Sequence, residues 1–401
     1  MEIVSFYPEG TSEYDRIAGL AAEFEELNPG VTTTLTFGGG QDVPQIQARW
    51  TAGDPPEVNL GFLEANTETG GAYVEAGQVL SLSDAMAQEL PSYGSTWQDA
   101  VLPGVLPLLT VPADGNVYGA PESVTTLQFF YNEAIFEEYG IEVPQTIDEL
   151  VTAADTLREA GQTPFTVTGT FLAYMQMYWD YLALRHIGYD NVRAAMNGDV
   201  ELATLPGAAE AAAALEDLTQ EGNFVDGFRG IDFTSAQVNF FQGNAAMILM
   251  GSWLLGEMAD SIPEGFEVGT FPFPAVDGAA VDSSGIFGFV NTYVVAAESE
   301  NPEAGVAFLQ FLADKENQIA MVETAKSISA YSGVPAPEGF ESVTAALEEG
   351  ATFAPSYMGI FGDTPEVQAA YQEPIAKLFF NEISGEQMLA EMSERLLAAN
   401  G

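Results

Sequence analysis

Short apolar runs alternate with amphipathic segments over the first sixty residues of the chain. Residues 3–7, 31–37 and 58–62 are rich in β-branched and aromatic side chains and are short enough to be buried strands. The segments between them have helical periodicity, and the second carries Ile46 and Trp50 on one face. Strand, helix, strand, helix, strand at this spacing predicts a parallel α/β sheet, and ligands bind such sheets beyond the carboxyl ends of the strands.

The most informative stretch is FFQGNAAMILMGSWLLGEM, residues 240–258. A Gly-Asn pair ends its opening helical turn, and residues 246–250 are too apolar and too short for anything but a buried strand. Ser252 and Trp253 follow directly, so the pattern predicts an indole presented at the end of a core strand. The alternative is that Trp253 packs between a helix and the sheet, and composition favours neither.

The charge balance is extreme, because ten Lys plus Arg face 59 Asp plus Glu and the formal net charge is −49. Such a chain repels nucleic acid and anionic membranes, which are bound through clustered Lys and Arg. Hydrophobic residues make up 47% and aromatic residues 11% of the chain, so we expect the carboxylates to cover a folded surface. Molar salt shortens the screening length to roughly 3 Å, and we interpret the composition as adaptation to high salt. A merely acidic mesophilic protein is the alternative.

The residues that enzymes use most often are scarce. The chain has no Cys, and its one His, His186, lies at a predicted helix end where a structural role is favoured. No G-x-S-x-G, D-x-D-x-D-G or H-E-x-x-H motif occurs. We therefore expect no catalysis, no cofactor and no metal site. Paired carboxylates for glycoside hydrolysis cannot be told apart among so many acids, so a carbohydrate-active enzyme is kept as the less favoured alternative.

Five motifs follow one another in a characteristic order: DGNVYGAP from residue 114, FYN from 130, GIEVPQTIDEL from 140, FFQGNAAMILMGSW from 240 and NPEAGVAFLQFLADKENQ from 301. Together they resemble the extracellular solute-binding proteins of ABC sugar importers, the maltose-binding-protein-like group. Near the N terminus, SFYPEGTSEY and FEELNPGV are also similar to that group. Each motif alone is weak, but the ordered set covers nearly the whole chain.

The resemblance implies a fold of two α/β lobes, the periplasmic-binding-protein-like class II type, with a hinge of several chain crossings and a ligand cleft between the lobes. We expect crossings near residues 123–124, 265–266 and 313–314. The N-terminal lobe would then contain residues 1–123 and 266–313. The C-terminal lobe would contain residues 124–265 and 314–401.

The resemblance also implies the role of a receptor. Such a protein captures a sugar or oligosaccharide, closes its lobes on it and delivers it to an ABC transporter membrane permease. We expect a monomer outside the cytoplasm, either periplasmic or held at the cell surface by a lipid anchor. No run of eighteen apolar residues occurs, and no positively charged leader precedes the first strand, so we expect the signal segment to be absent from this sequence.

Sugar binding needs aromatic planes for the C–H faces of the ring and polar groups for its hydroxyls. Trp253, at the position of the family's G-S-W motif, is the predicted stacking platform, with Ser252 beside it. The remaining candidates are chosen by loop position: Gln41, Asp42, Glu64, Glu9 and Thr11 in the first lobe, Glu122 and Ser123 near the hinge, Tyr174 and Trp179 in the second lobe, and Phe287 with Asn291. For each aromatic residue among them, packing in the core is the alternative, and for each polar one, a solvated loop tip.

A receptor for another solute is the alternative within the same architecture. An acidic cleft would suit a polyamine or a peptide, and the lobed fold is shared by receptors of many solutes. The aromatic character of residues 169–181 and of the GSW stretch favours a sugar.

Overall fold

The computed structural model describes residues 1–38, 43–60, 68–111, 113–276 and 285–401. Three predicted site residues, Gln41, Asp42 and Glu64, lie outside this part of the chain. The described residues form two compact units, each built from two chain segments. Unit 1 contains Met1–Thr125 and Val290–Gly350, and unit 2 contains Thr126–Phe289 and Ala351–Gly401.

The β-strands are numbered in chain order. They are β1 (Glu2–Ser5), β2 (Thr34–Phe37), β3 (Val58–Leu60), β4 (Glu89–Leu90), β5 (Ser95–Thr96), β6 (Ala120–Asn132), β7 (Phe165–Thr166), β8 (Met247–Gly251), β9 (Val268–Phe271), β10 (Ile286–Val295), β11 (Ile328–Ser329) and β12 (Phe353–Pro355). The boundary between the two units falls inside β6 and again inside β10.

The α-helices are likewise numbered in chain order. They are α1 (Ser12–Leu27), α2 (Val43–Ala52), α3 (Glu68–Glu75), α4 (Ser83–Met86), α5 (Trp97–Ala100), α6 (Leu106–Leu109), α7 (Glu133–Tyr139), α8 (Ile147–Glu159), α9 (Ala173–His186), α10 (Tyr189–Met196), α11 (Ala208–Leu218), α12 (Phe233–Phe241), α13 (Leu254–Glu257), α14 (Pro302–Leu312), α15 (Lys315–Ala325), α16 (Glu341–Glu348), α17 (Pro365–Phe379) and α18 (Gly385–Asn400). Short 3-10 segments include Leu202–Thr204, Phe228–Gly230, Ala259–Ser261 and Ser356–Gly362. Among the helices described, none combines the length and apolar character needed to cross a bilayer.

Unit 1 contains the predicted parallel sheet. Strand β1 pairs in parallel with β2 on one side and with β3 on the other, and β10 pairs antiparallel with β3. Helix α1 begins where Thr11 caps it, and it buries Ile17, Leu20 and Phe24 at helical spacing. The parallel arrangement predicted for the first sixty residues is therefore confirmed.

Unit 2 is built around the second half of β6. Strands β8 and β9 both pair antiparallel with it, β7 pairs in parallel with β8, and β12 pairs in parallel with the start of β10. Phe129 of β6 stacks on Phe271 and Phe273, with ring centroids 5.1 and 5.4 Å away. Helix α9 is buried from Ala173 to Arg185 on all its faces, which makes it the central helix of this unit.

The two units differ from the lobes predicted from sequence in three ranges. The shortest is residues 124–125, which belong to unit 1, so the first boundary lies at 125–126 rather than 123–124. Residues 266–289 belong to unit 2, because β9 within them pairs with residues 129–132 of β6. Residues 314–350 belong to unit 1, because β11 pairs with Ser123 and Val124, and α15 packs against α1. The boundaries expected at 265–266 and 313–314 are thus replaced by boundaries at 289–290 and 350–351.

Candidate ligand-binding site residues

In unit 2, Trp253 follows β8 and immediately precedes α13. Its indole is half-buried and stacks on Phe289, with ring centroids 6.3 Å apart and planes at 28°. The ring also folds back over Gly251, where an added Cβ would lie 2.0 Å from the indole. The close approach of the ring therefore requires glycine at position 251 of the GSW motif.

Ser252 extends the pairing of β8 with β6. Its backbone N–H donates to the carbonyl of Thr126 over 2.8 Å, and its Oγ accepts from the N–H of Thr126 over 3.3 Å. The hydroxyl proton of Ser252 is not used in these bonds. The predicted neighbour of the stacking platform is thus anchored to the main chain and holds Trp253 at the end of the strand.

Tyr174, near the start of α9, lies in a group of aromatic rings that we call the Tyr174 cluster: Phe171, Tyr174, Phe233 and Tyr357. The centroid of the Tyr174 ring is 5.2 Å from that of Phe171, 5.0 Å from Phe233 and 6.4 Å from Tyr357. Phe171 is 48% exposed, so the cluster has one face in solvent. Sequence reasoning selected Tyr174 but missed Phe233 and Tyr357, which come from distant parts of the chain.

A carboxylate, that of Glu257, lies near the Tyr174 cluster. Burial raises the pKa of Tyr174 above its ordinary value, with further contributions from Tyr357 and then from the negative charge of Glu257. Glu257 is the last residue of α13, and its Oε2 accepts from Nε2 of Gln237 over 3.2 Å. Trp253 therefore immediately precedes α13, and the helix ends in a carboxylate acceptor near the Tyr174 cluster.

Two of the predicted aromatic residues lie in the core of unit 2. Trp179 is completely buried in α9. Phe287 is also buried; its ring meets Tyr181 edge-on at 4.9 Å, and its N–H donates to the Tyr181 hydroxyl over 3.0 Å. These positions favour the packing alternative for both side chains.

In unit 1, Glu9 and Thr11 lie in the loop after β1. Thr11 caps α1, since its Oγ1 accepts from the N–H of Tyr14 over 3.3 Å and donates to the carbonyl of Pro8 over 2.8 Å. Glu9 is exposed at the loop tip. Thr11 thus shapes the loop, whereas the Glu9 carboxylate faces solvent.

Glu122 of β6 belongs to a buried charged group, the Glu122 cluster, formed by Tyr7, Arg16 and Glu122. Its Oε1 accepts from Nη2 of Arg16, and the Glu122 residue is only 2% exposed. Within the described residues, Oε2 of Glu122 and both Nε and Nη1 of Arg16 have no hydrogen-bond partner. Burial raises the pKa of Tyr7 above its ordinary value, and the nearby Glu122 carboxylate raises it further. The cluster therefore retains unused donors and an unused acceptor.

The structure brings two other predicted residues together beside this cluster. Nδ2 of Asn291, in β10, donates to Oγ of Ser123 over 2.9 Å and approaches Oγ1 of Thr125 at 3.4 Å. Ser123 follows Glu122 in β6. Glu122, Ser123 and Asn291 thus form one polar group in unit 1, although 168 residues separate Asn291 from Ser123 along the chain.

Two aromatic residues of unit 1 were missed by sequence reasoning. Phe6 directly follows β1 and is 48% exposed, and Phe37 ends β2 and is 36% exposed. Because Ser5 of β1 is opposite Phe37 in the parallel register, these two aromatics lie at the same edge of the sheet. An aromatic residue at the last or next-to-last position of a predicted parallel strand was the signal that could have revealed them.

The described residues hold no group of three His, Asp or Glu side chains suited to a metal ion. His186, which ends α9, is partly buried, and this burial lowers its pKa.

Comparison with known proteins identifies the family. Residues 7–319 match the model of the bacterial extracellular solute-binding proteins. The chain belongs to this family. This match confirms the family that the ordered motifs predicted, and the α/β fold class predicted with it is confirmed as well.

Individual relatives of this solute-binding protein are distant. It is 25% identical over 331 residues to an uncharacterized ABC transporter extracellular-binding protein of Pyrococcus horikoshii, covering 79% of this chain and 68% of that one. It is 26% identical over 360 residues to a probable sugar-binding periplasmic protein of Mesorhizobium japonicum, covering 86% and 81%. The apo-form of RafE from Streptococcus pneumoniae shares its fold, with a TM-score of 0.82, 17% identity and coverage of 100% and 98%.

Proposed function

We propose that this solute-binding protein is the substrate-binding receptor of an ABC importer and that it carries a sugar or an oligosaccharide to a membrane permease. Family membership over residues 7–319 supports the receptor role. The name of the Pyrococcus horikoshii relative supports coupling to an ABC transporter, and that of the Mesorhizobium japonicum relative supports a sugar.

The observation that carries the sugar assignment is the placement of aromatic faces at the ends of strands and helices. Trp253 follows β8, Phe6 follows β1, Phe37 ends β2, and Phe171 precedes α9. Flat apolar rings suit the C–H faces of sugar rings, whereas a polyamine needs a carboxylate close to each ammonium group, in addition to any aromatic face. We therefore rank polyamine and peptide receptors below a sugar receptor.

Hydrogen-bonding groups accompany these rings. The Glu122 cluster has an unpaired carboxylate oxygen and unpaired guanidinium nitrogens within the described residues, and Glu257 supplies a carboxylate beside the Tyr174 cluster. Hydroxyl groups of a sugar both donate and accept, so they match carboxylates and guanidinium groups equally well. Binding of this kind requires the protein to close on the ligand. It breaks no bond in the ligand, and this agrees with the description of the family as solute-binding proteins.

We further propose that the protein works as a monomer outside the cytoplasmic membrane, in the periplasm or held by a lipid anchor, in a salt-adapted host. Among the described residues, Glu122 and Asp180 are the acidic side chains that are buried, while the chain carries 59 acids in all. Repulsion between exposed carboxylates weakens as salt shortens the screening length. A protein of this charge is expected to need salt for full stability.

Calorimetric titration at roughly molar NaCl tests the proposal. We expect one saccharide among a panel of mono-, di- and trisaccharides to bind, and Trp253→Ala to weaken that binding by roughly tenfold or more, about 1.4 kcal/mol. Trp97→Phe, which removes a buried indole of unit 1 together with its hydrogen bond to the Tyr331 hydroxyl, is the control for the loss of a tryptophan and should leave the affinity unchanged.

Two results would contradict the proposal. Thermal stabilisation by spermidine with no saccharide binding would indicate the polyamine alternative. Release of reducing ends from an oligosaccharide during prolonged incubation would indicate a carbohydrate-active enzyme.

A further inference from the structure

The backbone of unit 2 contains a left-handed turn at residues 357–359. Tyr357 (φ 54°, ψ 35°), Met358 (φ 53°, ψ 18°) and Gly359 (φ 70°, ψ 15°) adopt this conformation consecutively. It costs roughly 1–2 kcal/mol for each residue that carries a Cβ. Non-glycine residues with positive φ occur at two other places in the described chain, each as a single residue, so the adjacent pair Tyr357 and Met358 is unusual.

Two side chains hold the carbonyl groups of this turn. Nε2 of Gln176, in α9, donates to the carbonyl of Tyr357 over 3.0 Å. Nη1 of Arg193, in α10, donates to the carbonyl of Met358 over 3.0 Å. Arg193 also donates two hydrogen bonds, of 2.7 and 2.9 Å, to the carboxylate of Asp363, the residue after the 3-10 segment. Consecutive carbonyls are therefore fixed from two different helices.

Gln176 is itself fixed by a buried network. It donates to Oδ2 of Asp180 over 2.9 Å, and its Oε1 accepts from Nε2 of Gln372 over 2.8 Å. Oδ1 of Asp180 accepts from the hydroxyl of Tyr371 over 2.9 Å. Gln176, Asp180 and Tyr371 are all buried. Burial of so many polar groups is costly unless each is paired, and a network paired in this way defines one geometry.

The turn places an aromatic side chain. Tyr357 points its ring edge-to-face at Tyr174, at 6.4 Å and 77°, and so completes the Tyr174 cluster. At the other end of the cluster, Phe171 is exposed. An ordinary extended or helical backbone at residues 357–358 would direct the Tyr357 ring elsewhere.

We propose that Gln176 and Arg193 are positioning residues for ligand binding. They hold the left-handed turn so that Tyr357 completes the aromatic surface of the Tyr174 cluster, which contacts one ring of the saccharide. This inference rests on the proposed sugar-receptor function. The two residues act through Tyr357 and do not touch the ligand themselves.

A double-mutant cycle tests the proposal. Arg193→Met and Gln176→Met should each lower the affinity for the saccharide found by titration by roughly tenfold. In a Tyr357→Ala background, which lacks the ring, Arg193→Met should cause no further loss, because the two residues act as one unit. Arg158→Met is the matched control: Arg158 is also in unit 2 but binds Asp155 and Asn223, and we expect wild-type affinity.

A second measurement reports on the turn without ligand. In the unliganded protein, hydrogen exchange of the peptide covering residues 353–363 should be faster in Arg193→Met, and in the conservative Arg193→Lys to a smaller extent, but unchanged in Arg158→Met. Faster exchange together with a non-additive loss of affinity supports the proposal. Unchanged exchange overturns it even if a variant is too unstable for titration.

The remaining outcomes are also decisive. Faster exchange with wild-type affinity overturns the proposal, since the turn would then serve only the fold. A wild-type protein that binds none of the saccharides overturns the receptor function and this inference together, whereas a wild-type protein that binds while Arg193→Met binds equally well overturns this inference alone.

Discussion

Among the described residues, each unit buries one carboxylate, and the two have different hydrogen-bonding partners. In unit 1, Glu122 faces the guanidinium of Arg16, a full opposite charge, yet its second oxygen and two nitrogens of Arg16 have no hydrogen-bond partner within the described residues. In unit 2, Asp180 has no cation beside it in the described contacts but accepts from Tyr371 and Gln176, one bond to each oxygen.

The difference determines what each carboxylate requires. Burial raises the pKa of Asp180 to about 8, and its two hydrogen bonds lower it only partly. Asp180 is thus mostly a neutral acid at pH 7. In that form the carboxyl O–H donates to the hydroxyl oxygen of Tyr371, which can accept as well as donate, and the other carboxyl oxygen still accepts from Gln176. Glu122 instead depends on Arg16, and removal of either partner leaves a buried charge. Unit 1 therefore contains a buried charge pair with unused hydrogen-bonding groups. Unit 2 contains a neutral network that positions neighbouring residues.

The largest effect is expected from separating the charge pair of unit 1. Arg16→Met should lower the free energy of unfolding by about 3–5 kcal/mol, because it leaves the Glu122 carboxylate buried without a counter-charge. Urea unfolding at fixed salt measures this loss. Adding Glu122→Leu to Arg16→Met should restore most of it, since replacing both partners removes the buried charge as well.

Arg49→Met is the control for this loss. Arg49 forms two bonds of 2.8 Å with Glu2, but about one third of its side chain is exposed. Partly exposed pairs contribute about 0–1 kcal/mol. Equal losses for Arg16→Met and Arg49→Met would contradict the view that burial makes the Glu122 pair different.

An intermediate effect is expected from the neutral network of unit 2. The pKa of Asp180 is higher in the folded protein than in the unfolded chain, where Asp has its ordinary value near 3.9. The folded state therefore holds the proton more tightly, so the contribution of Asp180 is most favourable below pH 4 and is lost as pH rises towards 8. Asp180→Asn, which cannot ionise, should flatten this decline and raise the unfolding free energy at pH 9 above that of the wild type, by at most about 1.4 kcal/mol for each unit by which the folded pKa exceeds the unfolded one.

The pH profile of unfolding by urea from pH 5 to pH 9 measures this effect. Asp260→Asn, a change at an exposed carboxylate of the same unit, should leave the profile parallel to that of the wild type. If Asp180→Asn were less stable than the wild type at pH 9, an ionised Asp180 would have to stabilise the folded protein at that pH. The contrast between Asp180 and Glu122 would then disappear.

The features that sequence predicts well here are local. The order of β1, α1, β2, α2 and β3 follows from the spacing of apolar residues. Pairing between distant strands is not visible in such patterns. That is why residues 266–289 were expected in the first lobe, although β9 pairs with residues 129–132.

The candidate site divides in the same way. Glu122, Ser123 and Asn291 were selected by position and do lie together, whereas Arg16 was missed because a single Arg in an acidic helix is typical of a solvated face and its partner is 106 residues away. The turn at Tyr357 carries no sequence signal, since neither Tyr nor Met favours positive φ. The contacts from Gln176 and Arg193, which come from distant parts of the chain, hold it.

The smallest expected effect is a difference in salt dependence between the Arg16–Glu122 pair and the Arg49–Glu2 pair. Raising NaCl from about 0.1 M to 1 M shortens the screening length from roughly 10 Å to 3 Å. The small loss caused by Arg49→Met should then fall towards zero, because water and ions reach that pair, while the loss caused by Arg16→Met should stay the same within about 0.5 kcal/mol. Both losses are measured against the wild type at the same salt concentration, so the general stabilisation of an acidic protein by salt cancels. If salt reduced the loss for Arg16→Met as much as the loss for Arg49→Met, ions would have to screen the Glu122 pair too. Glu122 would then differ from Asp180 only in having a charged partner, and not in being shielded from solvent ions.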